Sequence, residues 1–243
     1  MNLALDIGNT KIKAALFEGD TLLSSIRFDD WDDPQWKILS LNKNIEAVIV
    51  SSVEMLEMEA NLYFKQAKKK IILSHKTPLP IVNQYKTPET LGKDRLAAAI
   101  GAWKYFNKES CLVVDAGTCI KYDFIHSVQG FLGGSISPGM QMRLDAMHHF
   151  TARLPAYELT DVQDFFGEDT FSAMLSGVLT GVEGECRHFI ELFRTRFGKI
   201  NVIITGGNAD FISLHLNNEF KVEKDLVLIG LNTILNYNLN NDN

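Results

Sequence analysis

Short apolar runs broken by turn residues open this chain and return in its second half. Residues 3–7, 12–17 and 21–27 are rich in Leu, Ile and Ala, and Thr10-Lys11 and Gly19-Asp20 separate them. That pattern predicts three successive strands. A buried strand over 47–50, a helix over 54–69 and a strand over 71–73 follow. Pro88, with Thr87 before it as a cap, is placed to open a helix that takes in residues 96–100 and ends near Phe106. The pattern then restarts with predicted strands at 111–114, 120–125 and 128–132. Helices over 140–150 and 171–197, a strand over 202–205, a helix over 210–216, a strand over 226–228 and a closing helix over 230–237 complete it. Residues 238–243 are polar and expected to fray.

Each half therefore reads as three strands followed by mixed α and β elements, the signature of an internal duplication. The polar stretch at 107–110 is the expected boundary, giving halves of 1–108 and 109–243. A chain of 243 residues with 46% hydrophobic residues can build two such cores. The formal charge of −6 and the absence of a basic stripe argue against a nucleic-acid partner. The one compact basic run, Lys68-Lys69-Lys70, reads as the cationic end of the helix over 54–69. No apolar stretch approaches the ~20 residues that cross a bilayer, and the chain opens in a strand without a leader-like segment, so a cytoplasmic protein without membrane contact is expected. Cys111, Cys119 and Cys186 lack the spacing of a disulfide framework or a zinc site. His148 and His149 are adjacent on a helix and point in different directions, which favours a structural role over metal binding.

The candidate chemistry lies in a turn that occurs twice. Asp6-Ile7-Gly8-Asn9-Thr10 and Asp115-Ala116-Gly117-Thr118 each end a strand on a carboxylate and bend through a glycine beside a hydroxyl. A carboxylate at a strand end can hold Mg²⁺ with waters retained on the metal. Glycine lets the backbone approach a phosphate, and Lys13 offers a point charge nearby. A third element, Thr205-Gly206-Gly207-Asn208, leaves a bare surface for a base or ribose. Two phosphate turns and a nucleoside turn point to phosphoryl transfer from a nucleotide.

Three elements in this order resemble the actin, Hsp70 and sugar-kinase superfamily. The resemblance implies an α/β fold of two duplicated RNase-H-like (actin-like ATPase) domains with a nucleotide cleft between them. Further segments narrow it. Tyr85 with Gly92-Lys93-Asp94-Arg95, the loop Gly133-Gly134-Ser135-Ile136-Ser137-Pro138-Gly139, and Asp169-Thr170 through Ser176-Gly177 resemble signatures of type III pantothenate kinases. That resemblance implies ATP-dependent phosphorylation of pantothenate, the first step of coenzyme A synthesis. It puts ATP on Asp6, Ile7, Gly8, Asn9, Thr10, Lys11, Ile12, Lys13, Thr118, Gly206 and Gly207, with Mg²⁺ on Asp6. It makes Asp94 the general base, with Tyr85, Gly92, Lys93, Asp94 and Arg95 on the substrate. Arg95 would take the pantothenate carboxylate. It assigns a monovalent cation, K⁺ or NH₄⁺, to Asp115. Thr170 would reach the substrate of a neighbouring subunit in a homodimer with shared active sites.

The chain departs from that pattern at Lys93, a position often apolar, at Cys119, where a small residue is common, and at Asp169, where Asn is frequent. None of these removes a residue assigned to the chemistry. Taken alone, Asp94 and Arg95 would also read as a charge pair on a solvated helix face. A regulator that kept the fold would be free to lose Asp94 or Asp115, and both remain. A filament-forming or chaperone-like ATPase of the same superfamily fits poorly with the short chain and the segment from Gly92 to Arg95.

Overall fold

A computed structural model describes residues 1–8, 11–52, 64–161 and 165–241. The chain divides into two compact units. One comprises Met1–Cys111, Phe124–Gly133 and Asp225–Asn243, and the other Leu112–Asp123 and Gly134–Lys224.

The first unit is built on a five-stranded sheet of β1 (Asn2–Ile7), β2 (Ile12–Glu18), β3 (Thr21–Phe28), β4 (Ala47–Ser52) and β5 (Lys69–Ile72). Their order is β3-β2-β1-β4-β5. β1, β2 and β3 form an antiparallel meander, and β4 and β5 run parallel to β1. Gly19, at φ 58°, supplies the left-handed residue that the tight turn between β2 and β3 needs. One face of the sheet buries Leu3, Leu5, Ile12, Leu16 and Phe28 with Trp36 and Phe64. Trp36 stacks on Phe28 at 5.4 Å and meets Phe64 edge-on at 5.8 Å.

Trp36 arrives on α1 (Pro34–Ser40), a helix the hydropathy pattern does not show because only Trp36 and Leu39 are buried on it. Its signal is instead a cap: Asp33 accepts the Gln35 N–H at 2.7 Å, with Pro34 in the first turn.

α2 (Lys93–Tyr105) and α6 (Leu226–Asn241) pack against each other in the same unit, and α6 also lies on β1. Their approach is close enough that a Cβ on Gly230 would stand 1.8 Å from the Ala97 carbonyl oxygen. One on Gly101 would stand 2.2 Å from that of Leu226. Asn2 in β1 donates to Asn232 at 2.9 Å and to Asn236 at 2.7 Å, and Asn232 donates to the Gly19 carbonyl.

This arrangement corrects two expectations. Residues 226–228 are the first turn of α6, not a strand; a short apolar run has no period of its own, and here it is a helix buried on several sides. Of the residues expected to fray, 238–241 continue the helix, tied by Asn238, which is buried and donates to the Pro78 and Ile234 carbonyls, and 242–243 lie outside the described residues.

Pro88 does not open α2. Thr87 to Thr90 close a turn, with the Thr90 N–H and hydroxyl both on the Thr87 carbonyl, and the helix starts at Lys93 behind Gly92. Proline at the second position of a turn competes with its use in a helix. Of the helix expected over 54–69, residues 54–63 lie outside the described residues. Phe64–Gln66 form a turn. Lys69 and Lys70 open β5, where lysine on an edge strand discourages further pairing, so the basic run does not end a helix.

The second sheet is made of β6 (Cys111–Ala116), β7 (Cys119–His126), β8 (Gly130–Pro138), β9 (Asn201–Thr205) and the two-residue β10 (Lys221–Val222), in the order β10-β9-β6-β7-β8. That order repeats the first sheet, as the expected duplication requires. The strand expected at 128–132 starts later and runs on to Pro138. Gly134 is not a turn residue: a Cβ there would stand 1.8 Å from the Tyr122 carbonyl oxygen, so its role is close strand packing.

α3 (Met140–Phe150), α4 (Thr170–Phe197) and α5 (Ala209–His215) complete the second unit. Asp169 caps α4, accepting the Ser172 N–H at 2.7 Å, and these bonds hold its carboxyl below the usual range. Behind β7, Tyr122 stacks on Phe189 at 4.1 Å and donates to Glu185, which also binds Arg143 at 2.6 Å. Among the described residues no helix is long and apolar enough to cross a membrane.

Candidate active site

In the first unit β1 delivers Asp6 to the end of the sheet. The register sets it opposite Lys13 on β2 and Ser51 on β4. Asp6 is buried, and the Lys13 ammonium stands 4.0 Å from its Oδ2. The Gly8 N–H donates to the Lys11 carbonyl at 3.2 Å and closes the turn. Asn9 and Thr10, both expected ATP contacts, lie outside the described residues. Lys11 pairs with Asp29 on the surface, and Ile12 points into the core.

A cavity of about 510 Å³ opens over this strand end. It is walled by Asp6, Ile7 and Gly8 from β1, by Ser51 and Ser52 from β4, and by residues 89–94 leading into α2. The structure thus gathers the expected Asp6, Ile7, Gly8, Gly92, Lys93 and Asp94 around one space. Sequence reasoning missed Ser51, Ser52 and Glu89. The signal for the serines was available: β4 is parallel to β1, and ligands gather beyond the carboxyl ends of neighbouring parallel strands.

The entry to α2 shapes one wall of this space. A Cβ on Gly92 would stand 2.7 Å from Asp94 Oδ1, so the small residue makes room for the carboxylate. Asp94 sits in the first turn of α2, where the N-terminal dipole favours a negative charge. Lys93 donates from Nζ to the Ser52 carbonyl, and burial pushes its pKa below the usual lysine value.

Arg95 is only 5% exposed, so Asp94 and Arg95 are not a solvated pair. Its guanidinium lies 5.5 Å from the Tyr85 ring centroid, and Nη1 is 3.5 Å from the Tyr85 hydroxyl. Tyr85 in turn leans on Phe131 and crowds Gly133, where a Cβ would meet the ring at 3.1 Å. Neither Tyr85 nor Arg95 is among the residues walling the 510 Å³ space.

The second unit assembles the repeated turn. β6 ends on Asp115, also buried. The Gly117 N–H donates to the Cys119 carbonyl at 3.1 Å, and the Gly139 N–H to that of Thr118, leaving the Thr118 side chain exposed. Gly206 follows β9 at φ 97°, where a Cβ would stand 2.5 Å from the Ala116 carbonyl oxygen and 2.6 Å from Asp115 Oδ1. Asn208 N–H binds the Ala116 carbonyl at 2.9 Å, and Gly207 faces open space. Asp115, Thr118, Gly206 and Gly207 are therefore neighbours. Thr170 stands apart from them, exposed at the start of α4.

Lys121, on β7, places Nζ 2.9 Å from Asp115 Oδ2 and was not foreseen. Alternation along β7 sets Cys119 and Lys121 on one face. Cys119 is half-buried, and burial raises the pKa of both Cys111 and Cys186. His148 bonds the Leu154 carbonyl through Nδ1. Among the described residues no three His, Cys, Asp or Glu side chains converge on a point. A cation here would rest on one or two carboxylates and water, the usual binding mode of Mg²⁺, and Asp6 fits that role.

The pattern of the family of type III pantothenate kinases matches residues 2–192. A type III pantothenate kinase of Flavobacterium johnsoniae is 38% identical over the whole of both chains. One of Bacteroides fragilis is 37% identical and covers 98% of each chain. Among solved structures, a chain of Campylobacter jejuni described as a candidate Baf-family transcriptional activator superposes with a TM-score of 0.64 at 22% identity, covering 98% of this chain and 99% of that one. A ROK hexokinase of Thermus thermophilus superposes with a TM-score of 0.52 at 15% identity, with coverages of 98% and 99%. The two structures speak for the fold alone, that of sugar kinases and actin-like ATPases. With a family pattern over most of the chain and relatives aligned end to end, this chain belongs to the type III pantothenate kinase family.

Proposed function

We propose that the chain transfers the γ-phosphoryl group of ATP to the primary hydroxyl of pantothenate, giving 4′-phosphopantothenate and ADP at the start of coenzyme A synthesis. One observation carries the residue assignment: Asp94, given room by Gly92 at the entry to α2, faces the same space as Asp6 and Gly8 of the first phosphate turn. An alcohol is a weak nucleophile, and a carboxylate within reach of its proton improves it. Asp94 takes that proton while the hydroxyl oxygen bonds to the γ-phosphorus and the β–γ bridging bond breaks in line.

Asp6 would hold Mg²⁺ through water, which supplies charge neutralisation on the phosphates. Gly8 lines the same space, and the Lys13 ammonium stands 4.0 Å from Asp6. Arg95, always charged and braced by Tyr85, suits a fixed substrate carboxylate. In the second unit Thr118 donates to phosphate, and Gly206 with Gly207 leaves a surface for adenosine. Asp115 is where the resemblance places K⁺ or NH₄⁺; its Oδ2 is already bound by Lys121. The duplicated halves run over 1–108 and 109–243. The protein acts in the cytoplasm as a homodimer in which Thr170 serves the neighbouring subunit's substrate. Exposed Phe150, Phe165 and Phe166 support such a face.

The test is direct: the protein with ATP, Mg²⁺ and pantothenate should yield phosphopantothenate, and Asp94→Asn should stop turnover without unfolding the chain. Normal turnover by that variant would remove Asp94 as the base.

A further inference from the structure

We infer that Lys121 is a built-in substitute for the monovalent cation at Asp115, so that phosphoryl transfer by this chain does not depend on K⁺ or NH₄⁺. The inference rests on reading the chain as an ATP:pantothenate kinase with a cationic site at Asp115.

Asp115 ends β6 within the second phosphate turn, and its side chain keeps 12% exposure. A carboxylate with so little water needs a cation. Lys121, itself 20% exposed, meets it at 2.9 Å from the adjacent strand β7. A lysine head group has the charge and the N–H donors of an ammonium ion. Its stem arrives from a buried strand, which makes the charge a fixed part of the protein. A second cation brought to the same carboxylate would face that ammonium at close range, and like charges repel most where water is scarce. The remaining side of Asp115 is confined by the Gly206 backbone, where even a Cβ would stand 2.6 Å from Oδ1. The residues present therefore do not fit a free K⁺ ion.

The same ammonium lies beside the turn at Ala116, Gly117 and Thr118 and adds positive charge where a nucleotide's phosphates would rest. A charge of this kind acts by positioning, so its loss should be felt in nucleotide binding as well as in turnover.

The experiment compares wild type, Lys121→Ala and Lys121→Met in KCl and in tetramethylammonium chloride at equal ionic strength. Binding of a non-hydrolysable ATP analogue is followed by calorimetry and phosphorylation of pantothenate by turnover. Wild type should bind the analogue and turn over alike in both salts, within about twofold. Lys121→Ala should bind the analogue about tenfold more weakly without K⁺, the scale of a lost charge-assisted contact, and recover when K⁺ enters the vacated space. Lys121→Met, which fills that space without charge, should be weak in both salts.

Analogue binding by wild type that strengthens about tenfold in KCl would overturn the inference, and needs no variant to fold. So would a folded Lys121→Ala that binds equally well in both salts. Wild type that binds the analogue in both salts but phosphorylates no pantothenate would refute the functional reading instead, leaving Lys121 to be judged on binding alone.

Discussion

The two phosphate turns share a sequence logic and differ in how their carboxylates are neutralised. Asp6 stands near the end of β1 with the Lys13 ammonium at 4.0 Å. Asp115 stands at the equivalent end of β6 with Lys121 at 2.9 Å, a closed pair. The close approach beside Asp115 comes from the strand next to it and not from the turn's own glycine: a Cβ would meet its nearest neighbour at 3.3 Å on Gly8 and 3.7 Å on Gly117, but at 2.5 Å on Gly206, which follows β9. Duplication preserved the strand-and-turn backbone. The lysines placed around it then came to stand at different distances from the two carboxylates.

That contrast can be attacked at several points. The largest effect is expected at Asp94, in the unit whose turn stays open. Asp94→Asn should lower kcat by about 10²–10⁴-fold, the range for a lost general base, with ATP-analogue affinity unchanged. Equal losses in kcat and in affinity would mean that Asp94 acts in binding.

Glycine substitutions come next. Gly206→Ala combines a left-handed φ with a clash on backbone and should cost about 3 kcal/mol in denaturant unfolding, against about 1 kcal/mol or less for Gly8→Ala. Equal costs would show that Gly206 is no more closely packed than Gly8.

Asp115→Asn leaves the Lys121 ammonium without its carboxylate in a site with little water. A loss of about 2 kcal/mol is expected, below the full value for a buried pair because both side chains keep some exposure. Asp6→Asn should change stability little and weaken Mg²⁺-dependent nucleotide binding instead. A reversed pattern would exchange the two roles.

The smallest effect belongs to Lys93, a lysine held by a carbonyl where Lys121 is held by a carboxylate. Its pKa is lowered by burial. The unfolded chain therefore binds more protons, the penalty is fully present below the folded-state pKa, and it is relieved as pH rises toward 10.5. Lys93→Met should be slightly more stable than wild type at pH 7, with the gap closing as pH approaches 10.5, followed by thermal unfolding. A gap independent of pH would assign the effect to packing.

What could be read in the sequence was whatever a local rule determines. Short apolar runs and the turn residues between them located β1 to β4 and β6, and a long helical stretch located α4. Asp6 was identified by the repeated turn, Gly92 and Asp94 by resemblance to a family pattern, and the structure draws them around one space. The failures share a cause in long-range packing. The run at 226–228 has no period of its own, and only its burial against α2 makes it helix. Trp36 alone could not announce α1. Pro88 satisfied a helix rule and a turn rule equally, and the Thr87–Thr90 hydrogen bonds decided between them. Ser51, Ser52 and Lys121 became visible as site residues only once strand neighbours were known, because register across a sheet is not written in either strand separately.

The bonds from Asn2 to Asn232 and Asn236 have a consequence for the order of events during synthesis. They join positions 230 and 234 residues apart, so β1 leaves the ribosome long before its covering helix exists. Until α6 emerges, α2 has nothing against its Gly101 face and the sheet edge near Gly19 has its carbonyl unclaimed. The intervening unit can finish its own sheet in that interval. A nascent chain stalled before residue 226 would already carry every residue that walls the space around Asp6 and Asp94 but only a half-covered sheet to hold them, a natural target for chaperones.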